Sequence, residues 1–347
     1  MIAPHAEELA PTLSPDDARQ LAAVAAGTSA TARAYVVTAG GPAVQVDLAP
    51  RRPNGDVEHG PRRDALTAER IAAVQDAVDH AAVTGGEPSL LSALGDASRT
   101  DAATVVVLSA GLAPGDGWDM RVAGWDVPPT TIAADLAVRG LLPDLRGRDV
   151  VLSGLGRTTG LQPDLGVREQ TALRADWLAV CAATGARCAV DDGVRPTRPP
   201  LAKRPGPVVA VPQVTSVAGP SSTEISLPSN LLFAPDSCTL LDPAGATVLL
   251  RGAAGRLRSA ADTATISGRT APAGPGDGVE LATCRAAAVA GLLRSSGVPD
   301  TAITAVRGDG TRADPPAASR TPDGVLDPAR FPALRRVVLT LTPKEPT

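Results

Sequence analysis

An arginine near the C-terminus has the strongest potential for binding chemistry in this sequence. Arg285 lies in Leu281-Ala-Thr-Cys-Arg-Ala286, which follows a predicted buried strand and Gly/Pro loop, Thr265-Ile-Ser-Gly-Arg-Thr-Ala-Pro-Ala-Gly274. At helical spacing Arg285 shares one face with the apolar Leu281 and Val289. Because helical side chains lean toward the N-terminus, its guanidinium is expected to point back at the loop. Such an arginine is either paired inside the fold or presented to an anionic ligand.

Both interpretations of Arg285 are open at this level. The structural one is a salt bridge to Asp277, Glu280 or Asp262. The functional one is a clamp for a ligand carboxylate, assisted by backbone N–H groups at the start of the helix.

Other residues that could carry chemistry lack the partners they need. Ser109 and Ser153 end buried strands, but no Gly-x-Ser-x-Gly turn or histidine accompanies them. Gly154-Leu-Gly156-Arg-Thr-Thr-Gly160 keeps only the Gly-x-Gly of a dinucleotide fingerprint, because its third glycine is one place late and no helix follows at once. The sequence therefore favours a non-enzymatic protein without a cofactor.

A metal site is not predicted either. A metal-dependent adhesion site needs a carboxylate and hydroxyls after the first strand, where Thr38-Ala-Gly-Gly41 stands instead. Three aspartates follow Ser109, namely Asp116, Asp119 and Asp126. We expect the Gly/Trp-rich loop that carries them to be exposed to solvent. The three histidines are scattered and no Cys-x-x-Cys spacing exists, so zinc is not indicated.

Composition limits the classes of partner. Of the 347 residues 44% are apolar and only 2% aromatic, so a packed core is expected without stacking platforms for single-stranded nucleic acid. The net charge of −4 gives no general attraction to nucleic acid or to anionic membranes. We predict no nucleic-acid partner.

The four cysteines fall into two pairs, one in each half of the chain. Cys181 and Cys188 are separated by a predicted helix end and strand start, and Cys238 and Cys284 lie in the C-terminal region. A disulfide in each pair would imply an oxidising compartment. The alternative is four small buried thiols.

No export signal or membrane span is visible. The first ten residues lack a basic region, and no apolar run approaches the roughly 20 residues that span a bilayer. We therefore expect either a cytoplasmic protein or one whose signal or anchor lies upstream of Met1.

The length allows about two domains by the usual rule of roughly 150 residues each. Residues 1–30 read as a leader with one helix capped by Ser14. Strands and helices alternate over 31–193, which predicts a doubly wound, Rossmann-like α/β sheet. A hairpin is expected there from Ala34 to Leu48, with buried strands at Thr104–Ser109, Asp149–Ser153 and Arg187–Asp191.

The proline-rich residues 194–229 are predicted to be a linker. Residues 230–347 then form an α+β domain of order β-α-β-α-β-β, opening on Leu231–Ser237, with both helices on one face of the sheet. Asp242-Pro243 supplies the N-cap and first residue of its first helix.

This C-terminal part resembles the OmpA-like peptidoglycan-binding domain. Ile266–Gly274 is similar to the family's Gly-His-Thr-Asp-x-x-Gly, and Leu281–Ala286 to its Leu-Ser-x-x-Arg-Ala. Further similar segments follow in the family's order: Leu232–Leu240, Gly297-Val-Pro, Ala305–Gly310 and Arg335-Arg-Val-Val-Leu.

The resemblance implies a site for the diaminopimelate of the cell-wall stem peptide, containing Gly268, Arg269, Thr270 and Arg285. In the family an aspartate and the helix arginine hold this group together, and the aspartate position here is Ala271. The ligand ammonium therefore loses a charge-assisted hydrogen bond, which costs about 1.5–3 kcal/mol, or roughly ten- to a hundredfold in affinity. The family's aromatic-Asn before the helix is also missing, and Leu334 replaces the Asn before the arginine pair.

The N-terminal part resembles the von Willebrand A-like domains that precede OmpA-like domains in some actinobacterial envelope proteins. Val105–Leu112 and Leu142–Leu152 carry the resemblance, without the metal motif. It implies contacts with an unknown protein partner. We therefore expect an extracytoplasmic, membrane-associated cell-envelope protein that associates with peptidoglycan. The alternatives are an intracellular or surface scaffold that uses both domains for protein contacts, and a nucleotide-using enzyme built on Gly154-Leu-Gly156.

Overall fold

The computed structural model describes residues 1–27, 31–84, 89–112, 117–125, 127–191, 193, 195–206, 208–234, 236–272, 276–327 and 330–344. They divide into two compact units. The first unit is Met1–Met120 with Pro128–Val209, and the second is Arg121–Val127 with Ala210–Thr347.

The strands expected in the first unit are present but do not form a single described sheet. β1 (Arg33–Val36) and β2 (Val44–Asp47) pair as an antiparallel hairpin. β3 (Thr104–Leu108), β4 (Asp149–Ser153) and β5 (Arg187–Asp191) form a parallel sheet in chain order. The mixed α/β character holds, while the doubly wound sheet and the likeness to von Willebrand A domains stay predictions.

The N-terminal residues are part of this unit and not a detached leader. The Ile2 N–H donates to the Val37 carbonyl at 3.0 Å, and Met1 accepts from the Leu108 N–H at 2.9 Å. These bonds place the first residues between the hairpin and β3, and Ile2 is fully buried. The predicted helix α1 (Pro15–Ala26) begins with a capping box, in which Ser14 and Asp17 each satisfy the other's backbone N–H.

The helices of the first unit pack apolar faces on the strands. α2 buries Val74 and Val78 in a core shared with β1 and β3, and α6 buries Leu173, Trp177 and Val180. The helices are α2 (Arg63–Thr84), α3 (Leu90–Ser98), α4 (Met120–Ala123, whose last residues belong to the second unit), α5 (Pro129–Val138) and α6 (Val167–Ala183).

One carboxyl group sits on the buried face of α6 without a hydrogen bond or ion pair among the described residues. Asp176 is 3% exposed, and burial raises its pKa from 3.8 to about 7. An unfolded Asp176 releases its proton near pH 4, so between pH 4 and pH 7 the folded chain holds the extra proton. The contribution of this protonation to the free energy of unfolding is therefore complete below about pH 4. It decreases as the pH rises and is lost once the pH has passed through about 7.

We expect Asp176→Asn to stabilise the first unit at pH 8 by about 2 kcal/mol, less than the full linkage because the amide is also a buried polar group. At pH 4 the two proteins should be within about 0.5 kcal/mol. Urea unfolding followed by tryptophan fluorescence measures both, and the exposed Asp164→Asn is the control. A gain of equal size at both pH values would contradict the proposed ionisation.

Residues 194–229 are not the linker that the prolines suggested. Arg195 forms buried ion pairs with Asp17 and Asp191 in the first unit, and the Val209 N–H donates to Gln162. Further on, β6 (Thr215–Ala218) and β7 (Thr223–Pro228) are strands of the second unit. Proline removes N–H donors only where it stands, so the proline-free Thr-Glu-Ile-Ser-Leu of β7 pairs fully.

The second unit is a five-stranded mixed sheet of order β6-β7-β10-β8-β9, with one parallel pair, β8 and β9. Two helices cover one face, where Leu250, Val289, Ile266 and Leu339 share a core, as predicted. Its remaining elements are α7 (Ser229–Leu232), α8 (Pro243–Arg258), β8 (Asp262–Arg269), α9 (Val279–Ser295), β9 (Ile303–Gly310), α10 (Phe331–Leu334) and β10 (Arg336–Pro343).

The opening strand predicted at Leu231–Ser237 is replaced by β7 and the short helix α7. β7 occupies the strand position because Leu227 pairs with Val337 of β10. The turn of α7 then directs Leu232 and Phe233 into the core, where each is 1% exposed.

The segment Arg121–Val127, whose described residues are 121–125 and 127, belongs to the second unit although the first unit surrounds it in sequence. Its Trp125 is 8% exposed and donates its indole N–H to the Ala210 carbonyl at 2.8 Å. Across the described ranges, no helix combines the length and apolarity that a membrane crossing needs.

Candidate functional site

The strand, loop and helix expected around Arg285 are β8, the described loop residues 270–272 and 276–278, and α9. Arg285 lies in the second turn of α9 and is only 6% exposed. Its Nε–H donates to the Ser237 carbonyl at 2.9 Å, and its guanidinium carbon is 5.5 Å from the centroid of the Phe233 ring, within cation–π range. The side chain is therefore held against Phe233 and Ser237.

A disulfide holds the same segment. Cys284, the residue before Arg285, is bonded to Cys238, the residue after Ser237, with their Cα atoms 5.8 Å apart. The other predicted pair, Cys181–Cys188, is bonded as well, so the alternative of four thiols does not hold. The cross-link and the hydrogen bond together join α9 to the chain before α8.

The carboxylates considered as partners of Arg285 have other roles or lie exposed. Asp277 pairs with Arg312, and Asp262 pairs with Arg256. Glu280 is exposed in the first turn of α9.

Gly268 and Thr270 set how closely β8 and α9 approach. A Cβ on Gly268 would lie 1.9 Å from the Ala282 carbonyl oxygen, so only glycine fits beneath the helix. Thr270 is 7% exposed, and its N–H donates to the Gly310 carbonyl at 3.0 Å. Both predicted site residues are thus packing positions at the base of the loop.

Arg269, the fourth predicted residue, belongs to a charge cluster that sequence reasoning missed. Its Nη1 donates to Asp314 Oδ1 at 3.1 Å, and the same oxygen accepts from Arg336 Nη2 at 2.5 Å. Two guanidinium groups therefore share one carboxylate, which leaves a net positive charge. The strand register brings these residues together, because it places Arg336 opposite Arg269. The periodicity of the sequence alone does not show this register.

A second carboxylate stands beside this cluster. Asp309 Oδ2 accepts from the Ser267 hydroxyl at 2.5 Å, and Arg307 Nε lies 2.9 Å from Asp309 Oδ1. Burial raises the pKa of Asp309, but the hydrogen bonds from Ser267 and Arg307 and the nearby arginine charges outweigh burial and hold that pKa below 3.8. Asp309 is therefore ionised at neutral pH.

Ala271, at the position where the family resemblance calls for a carboxylate, is half-buried and directly follows Thr270. Ala273 and Gly274 of the predicted motif lie outside the described residues, as do Asp116 and Asp126. Among the described residues, no group of three potential metal ligands is found.

The serines at the ends of β3 and β4 each donate a hydrogen bond to a carboxylate. The Ser109 hydroxyl donates to Glu8 at 2.7 Å, and the Ser153 hydroxyl donates to Asp191 at 3.0 Å. Among the described residues, neither serine hydroxyl hydrogen-bonds to the histidine that this kind of nucleophile needs. After Gly154-Leu-Gly156 the next described helix is α6, which begins only at Val167, so a dinucleotide phosphate would lack the helix N-terminus.

No protein-family model matches this chain, and no curated protein matches it. Part of the chain is similar to solved bacterial structures. One is a MotB-like protein from Desulfovibrio vulgaris, at 23% identity over 38% of this chain and 80% of that one, with a TM-score of 0.31. Another is the cell wall anchor of the T6SS from Pseudomonas aeruginosa, at 23% identity, 38% and 88% coverage and a TM-score of 0.30. A third is the peptidoglycan-associated lipoprotein from Burkholderia pseudomallei, at 26% identity, 32% and 87% coverage and a TM-score of 0.27.

Proposed function

We propose that this chain is a non-enzymatic cell-envelope protein whose second unit associates with peptidoglycan through the stem peptide. The observation that carries the proposal is Arg285, in the second turn of α9 behind β8 and its loop, within the segments that resemble the OmpA-like motif. The proposed ligand-contacting residues are Arg285 and Arg269, while Gly268 and Thr270 set the packing of β8 against α9 at the base of the site.

Charge supports an anionic ligand at this end of the sheet. Arg269 and Arg336 share the single carboxylate of Asp314, so their excess positive charge favours stem-peptide carboxylates. The ligand ammonium finds no carboxylate at Ala271. Binding is therefore expected to be weaker than in a site with both charges.

An extracytoplasmic location is part of the proposal. The two disulfides support it, because disulfides persist in oxidising compartments. Intact mass of the protein from its native host, alkylated before and after reduction, tests the location. Four alkylated cysteines before reduction would argue for the alternative, an intracellular scaffold.

That scaffold alternative has one observation in its favour. Arg285 is buried and bonded within its own unit, as a residue that only maintains shape would be. In this case the second unit keeps its fold for protein contacts, and the wall is not a partner.

A pull-down with purified sacculi separates the two. We expect the full chain to be retained, and Arg285→Ala to lose about ten- to a hundredfold in affinity. Arg294→Ala, on the exposed side of the same helix, is the matched control and should bind as wild type. Hydrogen exchange of each variant separates loss of binding from loss of fold. Wild type that is not retained would reject wall binding, and equal retention of Arg285→Ala would reject the clamp.

A gain of binding is the sharper prediction. Ala271→Asp restores the carboxylate for the ligand ammonium, and we expect sacculus affinity to rise about tenfold or more. Ala271→Asn has nearly the same size without the charge and should gain much less. The gain should disappear at a pH that protonates the aspartate. No difference between the two variants would show that residue 271 does not face the ligand.

A further inference from the structure

A crevice in the first unit is lined by two arginines, Arg157 and Arg195, whose N–H groups are not all satisfied by acceptors among the described residues. It lies at the carboxyl ends of β3 and β4, where open α/β sheets bind their ligands. It encloses about 20 Å³, room for one or two water-sized groups, and opens to solvent. Its polar lining comes from Thr12, Ser109, Ser153, Arg157 and Arg195.

The hydroxyl protons of the two serines are not available to a ligand. Ser109 donates to Glu8, and Ser153 donates to Asp191. The Thr12 hydroxyl donates to the Ala10 carbonyl, so the side-chain donors that remain in the lining are guanidinium groups.

Arg195 is a buried arginine with one unused donor. Its Nη1 donates to the Thr12 carbonyl and to Asp17, each at 2.6 Å, and its Nη2 donates to Ser153 and Asp191, each at 2.7 Å. Among the described residues its Nε–H has no acceptor, although the side chain is only 3% exposed. A buried N–H without a partner is costly, which points to a missing acceptor.

Arg157 is half-buried beside it and has no carboxylate partner among the described residues. Its Nη2 makes only two long hydrogen bonds, 3.5 Å to the Arg195 carbonyl and 3.4 Å to the Pro196 carbonyl. Burial and the positive charge of Arg195 lower its pKa, so the protein itself does little to stabilise this charge. Both arginines line the crevice, so an anion there would lie beside two positive charges.

We propose that this crevice binds a small oxyanion, either a carboxylate or a phosphate group, between the Arg157 guanidinium and the Arg195 Nε–H. Planar guanidinium groups suit both kinds of oxyanion. The volume admits one such group and not a nucleotide, while the opening allows the rest of a larger acid to extend into solvent. The site lies in the first unit and does not depend on peptidoglycan binding by the second.

Calorimetric titration of the full chain with sodium phosphate or sodium acetate tests the proposal, at constant ionic strength in chloride. We expect saturable binding of at least one of the two and a thermal stabilisation of roughly 3 °C at saturation. The anion that saturates at the lower concentration identifies the class. Arg157→Gln should lose at least tenfold in affinity. Arg187→Gln, an exposed arginine paired with Asp149, should bind as wild type.

Arg157→Lys keeps the charge and loses the planar fork, so we expect an intermediate affinity, which also covers the case in which Arg157→Gln does not fold. Stabilisation that is the same in wild type, Arg157→Gln and Arg187→Gln would be a general salt effect and would overturn the site. No saturable binding of phosphate or acetate to wild type would overturn it as well.

Discussion

Gly268→Ala is expected to destabilise the second unit by about 3 kcal/mol or more. The new Cβ would lie 1.9 Å from the Ala282 carbonyl oxygen and 2.6 Å from its carbonyl carbon. Backbone atoms of a helix cannot rotate away as a flexible side chain can. α9 must therefore move off β8, with a cost at the upper end of overpacking or beyond.

A matched control lies on the same helix. Gly291 is exposed on α9, and a Cβ there meets nothing within 4 Å. Gly291→Ala should therefore stabilise the unit by about 0.5–1 kcal/mol, because alanine loses less backbone entropy in a helix. Hydrogen exchange followed by mass spectrometry reads the second unit separately from the first. If both alanine variants shift α9 protection in the same direction, the close approach of β8 and α9 is wrong.

Removing the Cys238–Cys284 disulfide is the second large effect that we expect. The bond closes a loop of 46 residues, for which chain entropy gives a stabilisation of about 4 kcal/mol. The Cys181–Cys188 bond closes only 7, which gives about 2 kcal/mol. The variant in which Cys238 and Cys284 are both replaced by alanine should therefore be less stable than the variant in which Cys181 and Cys188 are both replaced.

The two disulfide variants also differ in where protection is lost. Without Cys238–Cys284, the segment that bonds Arg285 is no longer cross-linked to α9, so residues 236–241 should exchange faster. Without Cys181–Cys188, increased exchange should be confined to the first unit around α6 and β5. Denaturant midpoints and segment-resolved hydrogen exchange measure both effects. A larger loss from the shorter loop would contradict the entropic account.

The sequence predicted those elements whose pattern is local. The apolar runs at 105–108 and 150–152 are buried strands, and Ser14 and Asp242 cap helices as their types suggest. The inward position of Arg285 follows from helical spacing and the lean of the side chain. Each of these inferences needs only neighbours within a few residues.

What the sequence did not show depends on distant partners. β7 is a strand because β10, more than a hundred positions later, pairs with it. The leader predicted at residues 1–30 packs into the first unit, where His5, Glu7 and Glu8 are buried and each finds a polar partner, such as Ser109 for Glu8. The Arg269–Asp314–Arg336 cluster needs strand register. Spacing cannot supply these pairings, because many registers satisfy the same pattern.

The second unit is built from two separate stretches of the chain, Arg121–Val127 and Ala210–Thr347. This affects its biosynthesis and the design of fragments that contain it. Arg121–Val127 is synthesised before the Pro128–Val209 part of the first unit, yet its Trp125 bonds to Ala210. The second unit therefore cannot be completed until the first unit's sequence is fully synthesised. A fragment that begins at Ala210 would lack this tryptophan, and restoring residues 121–127 as a separate peptide should recover its burial. The order of synthesis thus links the maturation of the two units.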